Sequence, residues 1–296
     1  MQALTSVDIA GLRVFSKGKV RTVYDLGEQL LIVASDRVSA FDYVLGSGIP
    51  DKGKILTAIS AFWFRKLAKV SAHHMITTDV ARFPLETRAY AELLRDRSML
   101  VRKAKRIDLE CIVRGHLAGS AWKEYQATGK VAGINLPGGL ALNARLEQPI
   151  FTPSTKSDQG HDRNIAIEEM FEIVGLEPGE IIRRRSLAIF DTARRLAEAK
   201  GVTIVDTKFE FGYLDGEIVL IDEIFTPDSS RFLYREAGAG EPINVDKQFI
   251  RDYLEQIDWN KTPPVPELPA AIVAEARRRY LVILERVTGE RPAWAT

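Results

Sequence analysis

Up to about Pro50 the chain alternates short apolar runs with turn-forming residues: "LRVF", "VRTVYDL" and "LLIVAS" are separated by "SKGK" and "GEQ". This spacing predicts a small antiparallel sheet. The period then lengthens. "ILTAISAFWFRKLAKV", from Ile55 to Val70, places apolar residues at helical intervals, "ETRAYAELLRDR" offers a second helix, and "SMLVRKAKRIDLECIVRG" returns to strand. Beyond Gly115 the pattern predicts a helix in "SAWKEYQATGK" and a long one in "PGEIIRRRSLAIFDTARRLAEAKG", with Pro178 near its start and Gly201 just past its end. Between them, Val131 to Arg163 is rich in Gly, Pro and Asn and shows no period, so we expect an irregular functional loop there. "KTPPVPELP" continues no element, and "PAAIVAEARRRYLVILERVTG" reads as an amphipathic closing helix. The expectation is an α+β chain in two lobes, a sheet lobe over 1–113 and a larger mixed lobe over 114–296.

One hairpin breaks the ordinary pattern. "IVDTKFEFGYLDGEIVLIDEIFTPDSSR", from Ile204 to Arg231, carries charges inside two apolar runs. Strand alternation puts Asp206, Lys208 and Glu210 in a row on one face and Val205, Phe209 and Phe211 on the other. Whether Asp222 joins the row depends on the turn, because each one-residue change of register flips side-chain direction. A two-residue Asp215-Gly216 turn pairs Glu210 with Ile221 and sends Asp222 to the opposite face. A three-residue turn, Leu214 to Gly216, pairs Lys208 with Asp222. We expect the three-residue turn, since the other would bury an unpaired carboxylate among Val219, Leu220, Ile221 and Ile224 at a cost of several kcal/mol. Two converging carboxylates with a lysine between them suit Mg2+ held against nucleotide phosphates. A solvated face with cross-strand ion pairs is the plainer reading. The hydroxyl-rich "TPDSSR", with Ser230 and Arg231, favours an anionic substrate.

Composition narrows the field. The 296 residues are 46% hydrophobic and 27% charged, as in soluble globular proteins. With 41 Lys and Arg against 40 Asp and Glu, the chain has no global field for nucleic acid or an anionic membrane. Cys111, the one cysteine, excludes a disulfide framework and reads as a small buried residue in a reducing compartment. The opening residues lack a signal-peptide pattern and no apolar run is long enough for a membrane span, so a cytoplasmic protein is expected.

Three further segments carry candidate chemistry. "SKGKVR" sets Lys17, Lys19 and Arg21 at alternate positions around Gly18, either a phosphate-covering hairpin or a basic edge strand. "ECIVRGHLAGSAWKEY" ends a strand at Arg114 and begins a helix at Gly119-Ser120, so Ser120 belongs to a phosphate site or is only an N-cap. "TPSTKSDQGHDRNI" groups Lys156, Asp158, His161 and Asp162 in a segment too polar for core. The adjacent His73 and His74 should diverge on any regular element, and we assign them no role.

Taken in order, "GKVR", "SDRVSAFD", "ECIVRGHLAGS" with "TKSDQGHD", and "IVDTKFEFG" with "IDEIFTPDSSR" resemble the SAICAR synthetase family from about Gly18 to Trp259. The resemblance implies a small antiparallel β lobe, kinase-like or ATP-grasp-like, over a larger α+β lobe with ATP in the cleft. It implies a ligase of purine biosynthesis that uses ATP and Mg2+ to join carboxyaminoimidazole ribonucleotide (CAIR) to L-aspartate, releasing ADP and phosphate. Small molecules are then the partners, in a monomer or homodimer, with neither nucleic acid nor membrane. By residue-wise match it places Gly18, Lys19, Arg21, Lys156, Glu210 and Asp222 at ATP, with Glu210 and Asp222 also holding the metal. Arg114, Ser120, Asp162, Asp206, Lys208, Ser230 and Arg231 match the substrate site, and Lys208 with Lys19 would do the charge work of catalysis. Asp108 stands where the family often has proline, and Thr22 where an acidic residue frequently follows "GKVR". A kinase-like phosphotransferase would need an H-R-D-x-x-x-x-N segment, which the sequence lacks. An inactive nucleotide-binding module would need a broken charge set, yet the set is complete.

Overall fold

The computed structural model describes residues 2–155, 163–236 and 240–295. Strands β1 (Arg13–Lys17), β2 (Arg21–Asp25) and β3 (Gln29–Ala34) form the expected antiparallel ladder. A separate hairpin, β4 (Arg37–Ala40) and β5 (Tyr43–Gly48), leads into helix α1 (Lys52–Leu67). After β6 (Met75–Thr77), the second expected helix is a 3-10 stretch, Leu85–Tyr90, with one α turn, α2 (Ala91–Leu94). It stops there because Arg95 leaves helical geometry at ψ 132° and Asp96 then takes a left-handed φ of 64°. Strand β7 (Ser98–Arg102) completes a five-stranded sheet of order β1-β2-β3-β7-β6. Alternation works as expected: Leu31 and Val33 join a small core with Val7, Ile9 and Phe83, while Leu30 and Ile32 face a cleft.

The second sheet is built from β8 (Lys105–Arg106) and β9 (Leu109–His116), then, past helix α3 (Gly119–Thr128) and the small hairpin β10 (Lys130–Val131) and β11 (Ile134–Asn135), β12 (Arg145–Thr155). Helices α4 (Ile167–Val174) and α5 (Leu176–Glu198) follow, then β13 (Val202–Leu214), β14 (Glu217–Ile221), β15 (Ser230–Tyr234) and β16 (Ile243–Asn244). Helices α6 (Gln248–Gln256) and α7 (Ala270–Thr288) end the chain's regular structure, α7 stopping at a left-handed Gly289. Sheet order is β12-β9-β13-β15-β16, with β8 and β14 on the far half of β13. Thus β13 is paired along nearly all its length, on both sides at Asp206 and Thr207 and again at Gly212 and Tyr213, and is buried almost throughout. Helix α5 packs on it, and α1 packs on α7, around one large core that includes Phe190, Phe209, Phe232 and Tyr280.

Three expectations need correction. The stretch from Val131 to Arg163 is not one irregular loop, because it contains β12, an 11-residue strand. Pro149 and Pro153 hid it. They are tolerated because β9 is the one strand beside β12 in its sheet, the outer edge meeting just a single bridge between Ser154 and Asn164, and an irregularity in register between Arg145 and Ile150 accommodates the first of them. The lobe boundary placed between residues 113 and 114 falls inside β9, all of which belongs to the second sheet.

The third correction concerns the hairpin turn. It has two residues, not three: Leu214 pairs with Glu217 and Glu210 with Ile221. Asp215 and Gly216 both have positive φ, 52° and 81°, the type I′ geometry whose twist suits a hairpin. Asp222 nevertheless escapes the apolar face. Strand β14 ends at Ile221, and Asp222 takes a left-handed φ of 64°, so alternation stops one residue before it. The burial penalty that argued for a longer turn therefore never arises.

Candidate active site

Between the two sheets lies a cavity of about 1220 Å3, lined by the β1–β2 hairpin, the segment Arg102–Arg106, and the cleft face of β13 and its following loop. A smaller chamber of about 210 Å3 lies beside it, lined by Arg114, Ser120, Asp206, Ser230, Arg231 and Arg251. Lys208, Asp228 and Ser229 line both. The row read from strand alternation is real, and it runs along the junction.

The larger chamber holds the first half of the charge set. Gly18 N–H donates to the Arg21 carbonyl at 2.8 Å, closing the β1–β2 turn. Lys19 lies at the rim with Nζ 2.7 Å from Asp42 of the "SDRVSAFD" segment. Arg21 points inward, its guanidinium 2.9 Å from Asp222 and 3.3 Å from Glu223. Burial alone would lower its pKa, but Asp222, Glu223, Glu210 and Asp228 together hold it above its ordinary value. Lys208 Nζ bridges Glu110 at 2.5 Å and Glu210 at 3.1 Å. Burial works against its charge as well, yet Glu210, Glu110 and Asp222 outweigh that and keep it protonated. Glu210 and Asp222 thus share the cavity with Lys208, as expected, although the turn that places them is the one rejected above.

In the smaller chamber the sheet register sets the arrangement. Asp206 on β13 is opposite Arg114 of β9 on one side and Arg231 of β15 on the other. Its carboxylate accepts from both guanidiniums, at 3.3 Å and 2.5 Å. Arg114 is 2% exposed, and burial lowers its pKa against the pull of Asp206. It also donates to Thr152 Oγ1 at 3.0 Å and to Ser120 Oγ at 3.2 Å. Ser120 is therefore not the cap of α3; that position is Ala118, and the Ser120 hydroxyl is committed to Arg114. Gly119, at φ 58°, lies directly under Arg231: a Cβ there would come within 2.6 Å of its Cζ. Ser230 Oγ lies 2.7 Å from Thr207 Oγ1, across the strand pair.

Several residues were missed by sequence reasoning. Glu110, Glu223 and Asp228 lay inside quoted motifs but had no partners that a strand pattern could assign. Lys247 and Arg251 approach from the N-terminal end of α6, and Lys52 from α1, so only the tertiary fold brings them in. Lys52, fully buried, pairs with Asp228 at 2.6 Å, and Lys247 approaches the same carboxylate at 3.3 Å. Burial opposes the Asp228 charge, but these two lysines hold its pKa below the ordinary value. His73 and His74 do not diverge into irrelevance: both rings pack against Phe64, with centroids at 5.0 and 5.6 Å. His74 lines the cavity, and burial pushes its pKa down to about 3, so it is neutral. Cys111 is buried and its thiol pushed up by burial, an inert core residue as expected. Lys156, Asp158, His161 and Asp162 lie outside the described residues.

The order of these motifs on this fold matches a family model, that of SAICAR synthetase, over residues 14–266. The chain belongs to the SAICAR synthetase family. Among relatives in that family, phosphoribosylaminoimidazole-succinocarboxamide synthase of Pelobacter propionicus is 53% identical, covering 95% of this chain and 96% of its own. The synthase of the same name from Geobacter sulfurreducens is 50% identical, covering 98% and 99%. The SAICAR synthase of Saccharomyces cerevisiae, solved in complex with SAICAR, superposes with a TM-score of 0.88 at 37% identity, covering 98% of this chain and 99% of that one. The α+β architecture expected from the family resemblance is therefore the fold observed.

Proposed function

We propose that the two joined chambers ligate CAIR to L-aspartate at the expense of ATP, giving SAICAR, ADP and phosphate. One observation carries the assignment of roles: Lys208 stands at the junction of a nucleotide-sized chamber and an arginine-lined one. A carboxylate does not accept an amine at neutral pH, because oxide would have to leave. Transfer of the ATP γ-phosphoryl to the CAIR carboxylate releases ADP and gives an acyl phosphate. The aspartate amine then attacks the acyl carbon, the C–O bond to phosphate breaks, and the nitrogen gives up a proton.

Positioning and charge neutralisation supply most of the rate in such transfers, and no protein nucleophile is required. Gly18 offers backbone approach to the nucleotide phosphates at the β1–β2 turn, with Lys19 at the rim. Arg114, Ser120, Ser230 and Arg231 receive the ribonucleotide and its phosphate, with Asp206 holding the two guanidiniums in place. Lys208 stabilises charge at the transferring phosphoryl or acyl oxygen.

Glu210 and Asp222 are the residues that would hold Mg2+. Both are hard oxygen donors on one cavity wall, and among the described residues no cage of three or more metal-ligating side chains competes with them. That donor set fits an ion that takes one or two carboxylates and completes its shell from phosphates and water. When bound, the ion supplies charge neutralisation at the phosphoryl oxygens.

The test is direct. The protein is incubated with Mg-ATP and CAIR, with and without L-aspartate, and ADP and succinocarboxamide product are measured. Both products should depend on all three substrates. ADP formation indifferent to aspartate would overturn the ligase reading in favour of a phosphotransferase.

A further inference from the structure

The two-residue turn leaves a problem that the cavity geometry solves only at Asp222. Regular continuation of β14 would point its carboxylate away from Glu210, and the left-handed φ of 64° turns it back. An L-residue holds that conformation at a cost, and a strained position persists where its surroundings fix it. Arg21 grips the carboxylate with two contacts of 2.9 Å, but these act on the side chain. The backbone is held from elsewhere. Nε2 of His74 lies 3.3 Å from the Asp222 carbonyl, and since a carbonyl only accepts, Nε2 carries the hydrogen.

His74 is itself anchored on both sides. Its N–H donates to the Leu220 carbonyl at 3.0 Å, its own carbonyl accepts from Arg102 N–H at 2.8 Å, and Leu220 N–H donates to Ala72 at 2.9 Å. The segment thus pins β14 of the second sheet to β7 of the first, one residue before strand alternation ends. The ring is buried beside Phe64, which fixes its plane.

We propose that His74 is a positioning residue for the reaction: its Nε2–H holds the Asp222 backbone in the reversed conformation that brings both carboxylates to one wall. The proposal rests on the reading of Asp222 as a Mg2+ ligand. Calorimetry with ADP, with Mg2+ and with chelator, separates the two. Asp222→Asn tests the metal reading, His74→Phe removes the donor while keeping a ring, and His74→Gln restores a donor of similar reach.

Asp222→Asn should abolish the gain in ADP affinity that Mg2+ confers. His74→Phe should lose about tenfold of that gain, leave metal-free ADP affinity unchanged, and lower kcat more than it changes KM for CAIR, with His74→Gln recovering most of both. If Asp222→Asn keeps the gain, the metal reading fails. If Asp222→Asn loses it while His74→Phe keeps it, the positioning proposal fails. Equal weakening with and without Mg2+ in His74→Phe, unrepaired in His74→Gln, would reduce His74 to a packing role and overturn the proposal.

Discussion

Gly119 offers the sharpest test of how the smaller chamber is assembled. Replacing it with alanine introduces two separable effects. The first is conformational: an L-residue at φ 58° costs about 1–2 kcal/mol relative to glycine. The second is a collision, because the new Cβ would lie 2.6 Å from Arg231 Cζ and 2.8 Å from Nη1. To regain ordinary van der Waals contact the guanidinium must retreat by roughly 1 Å. That stretches its bond to Asp206, now 2.5 Å, toward the limit of a useful hydrogen bond. A charge-assisted bond is worth about 1.5–3 kcal/mol, so affinity for the ribonucleotide should fall roughly 10- to 100-fold. Gly129 provides the control. It is also left-handed, at φ 71°, but a Cβ there meets nothing within 4 Å. Gly119→Ala and Gly129→Ala should therefore lose similar stability in thermal unfolding, while only Gly119→Ala raises KM for CAIR in steady-state kinetics. An unchanged KM in Gly119→Ala, or an equal rise in both variants, would refute the account.

Lys208→Met should lower kcat by about 100-fold or more, as loss of a preorganised charge does, with KM for ATP changed only a few-fold; equal turnover would remove Lys208 from the chemistry. Asp36 accepts from Arg97 at 3.0 Å, Gly53 N–H at 2.9 Å and Leu4 N–H at 2.8 Å in a buried setting. Asp36→Ala takes the carboxylate from the buried Arg97 guanidinium, leaving it the Ala34 carbonyl at 3.2 Å, and should cost about 3–5 kcal/mol, read as a lowered denaturant midpoint; a loss below about 1 kcal/mol would contradict the buried pair. Burial pushes the Asp246 carboxyl up to about 6, against N–H donors from Phe232 and Gln248. A raised folded pKa contributes stability that is fully present below the ordinary carboxyl value and lost as pH rises through about 6. Between pH 5 and 8, which holds only the last unit of that loss, the native chain should therefore lose about 1.4 kcal/mol relative to Asp246→Asn. Parallel stability curves for the two would show that Asp246 does not titrate there.

Much of the fold was legible because its signals are local. The β-rich opening, α5 with Pro178 and Gly201, and α7 all follow hydrophobic period and end signals. Strand β12 was not, since Pro149 and Pro153 read as breakers, and its outer position and register irregularity are what make them harmless. The site divides in the same way. Asp206, Lys208 and Glu210 were readable as a row because strand alternation needs no partner. Asp222 was placed in the right chamber by the wrong turn, because alternation gives no warning of a left-handed residue at the end of a strand. Lys52, His74, Lys247 and Arg251 were out of reach: their roles depend on which distant element they meet.

Two of the ion pairs that organise the cleft join residues far apart in the chain. Arg21 and Asp222 are separated by 201 positions, and Lys52 and Asp228 by 176. Such closures are slow to form and are reached only after most of the polypeptide has been synthesised. A nascent chain that has exposed only its first sheet carries Arg21 and Lys52 as cations without their partners. The completed cleft is thus a late product of folding, and its ligand-binding capacity should appear in a single step near the end of chain synthesis.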